Sequence, residues 1–457
     1  MTSPSERLKF GEKLGYSLGD AAANIAWRPL IAFLPIFYTD TFGLPEAAVA
    51  LLLMLTRSFD GVTDIIMGTI ADRTNTRFGK FRPWLLWTAF PFGLFLALTF
   101  TTPNFGLHGK LIWAYTTYIL LTLAYTANNV PYSSLTGVLT GNVQERTSVS
   151  SFRFFGAYFG GLISLGFIPI LVKVIGKGND NAGYQVTMYI LSGVLVVFSL
   201  IAFFSTKERV KPPQSQDSSL WKDLKGIASN RPWAMLLILG FLWVTYNSIR
   251  QGAAAYYFKW YLGKETLVGA FFIAVVLASL ASTFMAPSLS RIFGKKKLFI
   301  LVMAISSGFT AGIYVLKPQN VTMMFVLGTL AELAAGIMPI LFFAMLGDAA
   351  DYGEFKTGRR TTGLIYSAGT FAMKFGGGVA GAVMIWVLKL HGYAGKNLES
   401  GQAALAQTEQ AMEGVKLINS FVPVVFIALA ILLMLFYPLS HKKMDEIETE
   451  LNERRKG

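Results

Sequence analysis

The sequence contains no cysteine and only three histidines, His108, His391 and His441, all outside or at the ends of its apolar runs. Without cysteine there is neither a disulfide framework nor a thiolate metal site. With no histidine inside an apolar run, a buried histidine proton relay lacks its titrating group. No Gly-rich loop ending in Lys-Ser/Thr is present, so ATP-driven pumping has no support, and no His-Glu-x-x-His helix marks a zinc enzyme. Charge is scarce too. Asp, Glu, Lys and Arg make up 14% of the chain, against roughly 25% in soluble globular proteins.

What is abundant is apolar. Hydrophobic residues reach 53%, with 37 Phe, 44 Gly and 9 Trp, and the mean hydropathy is +0.49. The 457 residues leave room for about twelve spans of roughly 20 residues each. The expected class is an all-α membrane protein. Apolar runs bounded by charge, Gly or Pro predict spans over 14–39, 45–71, 83–102, 111–138, 150–175, 184–205, 233–261, 266–290, 298–316, 320–350, 361–389 and 417–439. Two long polar interruptions stand out, 206–232, with an amphipathic stretch at 221–227, and 392–415. The segment 1–11 is polar and lacks an apolar core followed by a cleavage site, so the first helix is expected to anchor the mature protein.

The net charge of +14 is topological rather than a sign of nucleic-acid binding. Lys and Arg gather in alternate connections: Arg73, Arg77, Lys80 and Arg82; Arg146; Lys207 and Arg209; Arg291, Lys295 and Lys296; Lys356, Arg359 and Arg360. The positive-inside rule then places both termini in the cytoplasm and requires an even number of spans. The chain also repeats itself weakly. Arg77-Phe78-Gly79-Lys80 after the second span echoes Arg291-Ile292-Phe293-Gly294-Lys295 after the eighth, nearly half the chain later. Repeated halves predict an N-terminal six-helix bundle (1–205), a cytoplasmic middle loop (206–232), a C-terminal six-helix bundle (233–440) and a cytoplasmic tail (441–457).

Several charges fall inside the spans: Asp20, Arg28, Arg57, Asp60, Asp64, Arg153, Arg250, Glu332 and Lys374. An ionised group at the bilayer centre costs at least ~2.5 kcal/mol, so each faces a cavity or a partner. Asp60 and Asp64 lie one helical turn apart on one face. Such a pair repels unless a cation or a shared proton intervenes. With Thr63 they offer hard oxygen ligands for Na⁺, or they carry H⁺; the alternative is a structural pair with Arg57. Asp20, among small neighbours, accepts hydrogen bonds from a polyol to which Arg153 donates, or the two simply bridge their helices. Asn128 and Asn129 precede Pro131, which frees backbone carbonyls. Lys374, beside Gly376-Gly377-Gly378, pairs with Asp60 or Asp64 in one state and releases them in another. Arg28 and Arg250 read a uronate carboxylate, or pair with Glu332 or Asp20. Trp27 and Tyr125 offer rings for sugar stacking, packing being the alternative.

Together Gly15-Tyr16-Ser17-Leu18-Gly19-Asp20, Arg57-x-x-Asp60-x-x-x-Asp64, Arg77-Phe78-Gly79-Lys80-Phe81-Arg82-Pro83-Trp84 and Asp351-Tyr352-Gly353-Glu354-Phe355 resemble the glycoside–pentoside–hexuronide:cation symporters, the melibiose-transporter family of the major facilitator superfamily. The resemblance runs from the first helix to the tail. It implies cation-coupled sugar uptake by alternating access across a bacterial cytoplasmic membrane. It also implies a cation site at Asp60, Asp64, Thr63 and Thr126, a sugar site at Asp20 and Arg153, and Lys374 as the link between them. Asn129 joins the sugar group, although the melibiose transporter has an Asp there. That transporter also has Asn at Thr63 and Trp at Ser133. The likeness is closer to the xyloside and glucuronide branches, around Arg250 and the paired tyrosines of the seventh span. The expected substrate is a glycoside or small oligosaccharide, a xyloside or uronide among them, moved with Na⁺ or H⁺ and without a cofactor. A transporter of an amphipathic lipid or drug is the alternative. A membrane-embedded enzyme would need a nucleophile or metal constellation, and none is visible.

Overall fold

The computed structural model describes residues 7–210, 226–264, 267–393 and 407–454. Within a bilayer every backbone polar group must be satisfied internally, which apolar runs achieve by coiling into helices. Accordingly, all regular elements among the described residues are helical, apart from an isolated bridge between Thr76 and Gly79. They are α1 (Phe10–Ala32), α2 (Glu46–Arg73), α3 (Arg82–Thr99), α4 (Leu107–Leu139), α5 (Val143–Gly176), α6 (Asp180–Ser205), α7 (Arg231–Tyr256), α8 (Val268–Phe293), α9 (Lys295–Gly312), α10 (Val321–Ala335, resuming as Met338–Thr357), α11 (Thr362–Leu390), α12 (Glu409–Asn419, resuming as Phe421–Leu435) and α13 (His441–Arg454). Helices α1 and α7 end in wider turns, over Phe37–Thr41 and Tyr257–Tyr261.

Eight helices, α5 to α12, are long and apolar enough to cross a membrane by length and composition alone. Of the other five, α1, α2 and α4 carry Asp20, Asp60, Asp64 and Asn129. The polar residues that lower their hydropathy are thus the candidate functional ones. Large apolar side chains point outward along the helices; Phe204 and Ile292 are each 74% exposed. Such a surface suits lipid, not water.

The ends differ from expectation where a local cap decides them. Helix α5 starts at Val143 rather than near 150, because Asn142 accepts a hydrogen bond from the Glu145 amide at 2.9 Å. Helix α12 starts at Glu409, inside the expected polar interruption, where Thr408 accepts from the Ala411 amide. Within 441–457, expected as a plain tail, His441–Arg454 is helical. The amphipathic stretch at 221–227 lies largely outside the described residues.

The chain divides into two compact units. The first comprises Met1–Ile227, Leu346–Phe371 and Ile447–Gly457. Its tightest contact joins α1 to α5. A Cβ on Gly156 would sit 1.9 Å from the Ser17 carbonyl oxygen, and one on Gly160 2.3 Å from that of Ala21. Glycines one turn apart facing small residues one turn apart let the two backbones touch, as small-xxx-small packing requires. At the foot of α3, the Glu208 carboxylate accepts from the amides of Lys80, Phe81 and Arg82 at 2.9, 2.7 and 2.9 Å. It caps three orphan donors at a helix N-terminus.

The second unit comprises Ala228–Met345 and Ala372–Glu446. A Cβ on Gly376 of α11 would lie 2.5 Å from the Phe241 carbonyl oxygen of α7. Tyr246 reaches from α7 to Ser306 and Thr310 of α9 at 2.6 and 2.9 Å. The break in α10 falls at Gly336, where a Cβ would meet Ser282 Oγ of α8 at 2.3 Å. Gly79 and Gly294, the repeated loop glycines, both take positive φ, +112° and +73°. The two echoed motifs therefore demand the same residue type for the same conformational reason.

Candidate ion and sugar sites

Most of the candidates fall in the first unit. Arg153 Nε donates to Asp20 Oδ2 at 3.0 Å, with both residues about 4% exposed. Arg153 also donates to Ser133 Oγ at 2.9 Å and lies over the Tyr132 ring. Tyr132 in turn stacks on Tyr16 at 4.6 Å between centroids, and each tyrosine hydroxyl donates to the other residue's carbonyl oxygen. This frame fixes the guanidinium from two sides while α1 presents the carboxylate. Asn24 donates to the Asp20 carbonyl, which steadies the turn after it.

Beyond that pair, Trp27 of α1 stacks on Tyr125 of α4 at 4.8 Å. Asn129 is buried on α4 and makes no hydrogen bond among the described residues. Asn128 turns the other way, donating to Thr88 of α3 at 2.8 Å, and so ties two helices together. Arg28 is half-buried and has neither an ion pair nor a hydrogen bond among the described residues. The side of its guanidinium is admitted by Gly161, whose Cβ would come within 3.4 Å of Arg28 Nε.

On α2, Asp60 and Asp64 are 5% and 1% exposed. Thr126 of α4 donates to Asp64 Oδ1 at 3.4 Å. Thr63 spends its hydroxyl proton on the Asp60 carbonyl at 3.0 Å, which leaves its oxygen lone pairs as acceptors. The side chains of Asp60, Asp64, Thr63 and Thr126 offer only oxygen donors, the ligand type hard cations take. No group of three or more His, Cys, Asp or Glu placed to hold a metal ion occurs among the described residues. The side chain of Arg57, the structural alternative for these carboxylates, lies outside the described residues.

Arg250 and Lys374 fall in the second unit. Arg250 donates to Glu332 of α10 and, at 3.0 Å, to Asn247, while Ser279 of α8 donates to the other Glu332 oxygen at 2.5 Å. Of the alternatives open for Arg250, the structure has the Glu332 pair. Lys374 sits on α11 two residues before Gly376, whose carbonyl accepts from Thr245 at 3.1 Å.

One charged network went unassigned in the sequence reading. Arg146 of α5 meets Asp348 at 3.2 Å and Asp351 at 2.5 Å. Arg360 meets Asp351 at 2.6 Å and Glu354 at 2.5 Å, and donates to the Gly137 carbonyl of α4 at 2.8 Å. Asp72 of α2 accepts from the Leu364 amide at 3.0 Å. All of these residues belong to the first unit, and they tie the ends of α2, α4 and α5 to the turn between α10 and α11. The signal was present: Asp351 and Glu354 stand in a motif quoted for its family likeness, and Arg146 and Arg360 were counted only as loop charges.

The helical rods and their paired halves define a major facilitator fold. A fucose transporter of that superfamily, solved in its outward conformation, superposes with a TM-score of 0.70 over 94% of this chain and 99% of its own, at 14% identity. The chain belongs to the family described as MFS/sugar transport protein, whose model matches residues 15–441. A putative glycoside/cation symporter of Escherichia coli K12 is 35% identical over 97% of this chain and 95% of its own. An isoprimeverose transporter of Lactiplantibacillus pentosus is 32% identical over 97% of this chain and 90% of its own. The protein is therefore a multi-pass membrane transporter of the sugar-symporter family.

Proposed function

We propose that this transporter takes up a glycoside or small oligosaccharide, a xyloside or uronide among the candidates, together with Na⁺ or H⁺. One observation supports the reading: a single stretch of α4 carries residues of both candidate sites. Tyr125 stacks on Trp27 beside the Asp20–Arg153 helices, the next residue, Thr126, bonds Asp64, and Asn129 follows within one turn. Occupancy of the Asp60–Asp64 set by a cation relieves repulsion on α2 and firms α4, which presents the sugar groups. Linkage makes the effect reciprocal: whatever the cation adds to sugar affinity, sugar adds to cation affinity.

In this reading Asp20, Arg153 and Asn129 hold sugar hydroxyls, Trp27 and Tyr125 face a ring, and Asp60, Asp64, Thr63 and Thr126 hold the ion. Lys374 pairs with the carboxylates when the ion has left. Arg28, without an ion-pair partner among the described residues, supplies the charge for an acidic substituent, and Arg250 acts on the substrate only when released from Glu332. The bundles 1–205 and 233–440 work by alternating access, with both termini in the cytoplasm of a bacterial inner membrane. The test is equilibrium sugar binding by purified protein with and without Na⁺ across pH. Affinity indifferent to both Na⁺ and pH would remove coupling from the proposal.

A further inference from the structure

Between the Asp20–Arg153 pair and the charged network lies a layer of buried hydroxyls that neither of them uses. Helix α5 sets the order. Arg146, Ser150 and Arg153 are spaced four and three residues apart, so they share one face. Ser150 therefore stands about 6 Å along the axis from the network arginine and about 4.5 Å from the sugar-site arginine. Ser150 and Thr147 are fully buried, Thr362 is 2% exposed, and the hydroxyl of each has no hydrogen-bond partner among the described residues. A helical Ser or Thr ordinarily gives its proton to the carbonyl one turn back, as Ser134, Ser151 and Thr370 do here. These three do not.

Around Thr362 the packing is polar as well as tight. A Cβ on Gly137 would lie 2.8 Å from Thr362 Cγ2 and 3.5 Å from the Tyr366 hydroxyl, and one on Gly347 would lie 3.0 Å from that same hydroxyl. Tyr16 and Thr136 share a hydrogen bond of 2.6 Å on the sugar-site side. Buried hydroxyls without partners are costly and rare, and each calls for a reason. Alanine or valine would fill the same space without that cost.

We propose that Ser150, Thr147 and Thr362, with Tyr366, line a second sugar position, which receives the hydroxyls of the same glycoside after it leaves Asp20 and Arg153. The position rests on the sugar-symport reading above. It opens when the Arg146–Asp351–Arg360 network parts. Neutral hydroxyls both donate and accept, so they meet a polyol in many orientations, and without charge they hold it weakly. Weak, tolerant contact suits passage rather than retention.

The test combines two readouts with isoprimeverose as the probe. In proteoliposomes, the double variant Ser150→Val/Thr362→Val is expected to bind the probe within about twofold of the parent while its maximal uptake falls at least tenfold. The pair Ser150→Thr/Thr362→Ser, which keeps both hydroxyls, should restore uptake to within about threefold. Uptake by the valine variant at the parental rate would overturn the position. Because the chain has no cysteine, Ser150→Cys gives a unique thiol. It should resist a membrane-impermeant maleimide, become reactive from the cytoplasmic side once Arg360→Gln is added, and then be protected about fivefold or more by the probe. A thiol that stays unreactive, or reacts equally with and without the probe, counts against it. A reactive thiol in a protein that binds no glycoside at all would instead sink the sugar reading, and this position with it.

Discussion

Thr126 of α4 donates to Asp64 of α2 at 3.4 Å, and its neighbour Tyr125 stacks on Trp27 of α1. Adjacent residues on one helix thus touch both candidate sites, which gives the proposed coupling a short physical route. An oxygen at 3.4 Å is a long hydrogen bond, and a cation drawing both oxygens toward itself would replace it with two stronger contacts. Asp64→Asn removes the charge while keeping shape. Sugar affinity, measured by calorimetry, should then lose its response to Na⁺ or to pH. Coupling energies of about 1–3 kcal/mol correspond to a 5- to 150-fold response in the parent. A variant that still accumulates sugar against its gradient under a cation gradient would remove Asp64 from the ion site.

The Asp20–Arg153 pair calls for two variants, since one confounds binding with stability. Asp20→Asn strands a buried guanidinium, and breaking a buried pair from one side costs about 3–5 kcal/mol. The single variant should melt several degrees lower and lose sugar binding. Adding Arg153→Gln removes the stranded charge and should recover much of the lost melting temperature. Sugar binding should stay lost in the double variant. Recovery of binding along with stability would show the pair to be a helix-to-helix bridge and nothing more.

The α1–α5 contact makes a purely structural prediction that isolates packing from chemistry. Gly156→Ala places a Cβ 1.9 Å from the Ser17 carbonyl, whereas Gly166 on the same helix has nothing within 4 Å. Overpacking of this kind costs about 1–3 kcal/mol. Thermal unfolding in detergent should therefore show Gly156→Ala clearly destabilised and Gly166→Ala near the parent. Equal melting temperatures for the two would mean that α1 and α5 are not held backbone to backbone.

Much of this arrangement was legible in the sequence because lipid imposes a strong rule: apolar runs must be helices, and charges inside them must have a purpose. The spans, the Asp60–Asp64 face and the nearness of Asp20 to Arg153 all follow from that rule or from family likeness. What periodicity leaves out is what one side chain decides. Asn128 and Asn129 are neighbours in sequence, yet Asn128 is committed to Thr88 while Asn129 makes no bond among the described residues. Pro339, in the first turn of the resumed helix, announces the break at Gly336; that Ser279 and Ser282 of α8, distant in sequence, press against it is not announced. Asp348 reads as one more residue at a span's end until Arg146 is found 3.2 Å away.

On the proposed reading, Arg28 is the group that meets an acidic substituent on the substrate. Arg153 and Arg250 are each neutralised by a protein carboxylate, while Arg28 has no such partner among the described residues. An arginine left in a membrane helix without a carboxylate is costly unless an anion arrives, and guanidinium meets carboxylate in a bidentate, charge-assisted geometry. For a glycoside bearing a uronate, Arg28→Gln should weaken binding by roughly 1.5–3 kcal/mol, the worth of a hydrogen bond to a charged group, or tenfold or more. For the matching neutral glycoside it should change affinity less than threefold. Competition binding of methyl glucuronide against methyl glucoside, on the parent and on Arg28→Gln, gives the comparison directly. A parent that prefers the neutral sugar, with that preference unmoved by the substitution, would rule out Arg28 as the group that reads an acidic substituent.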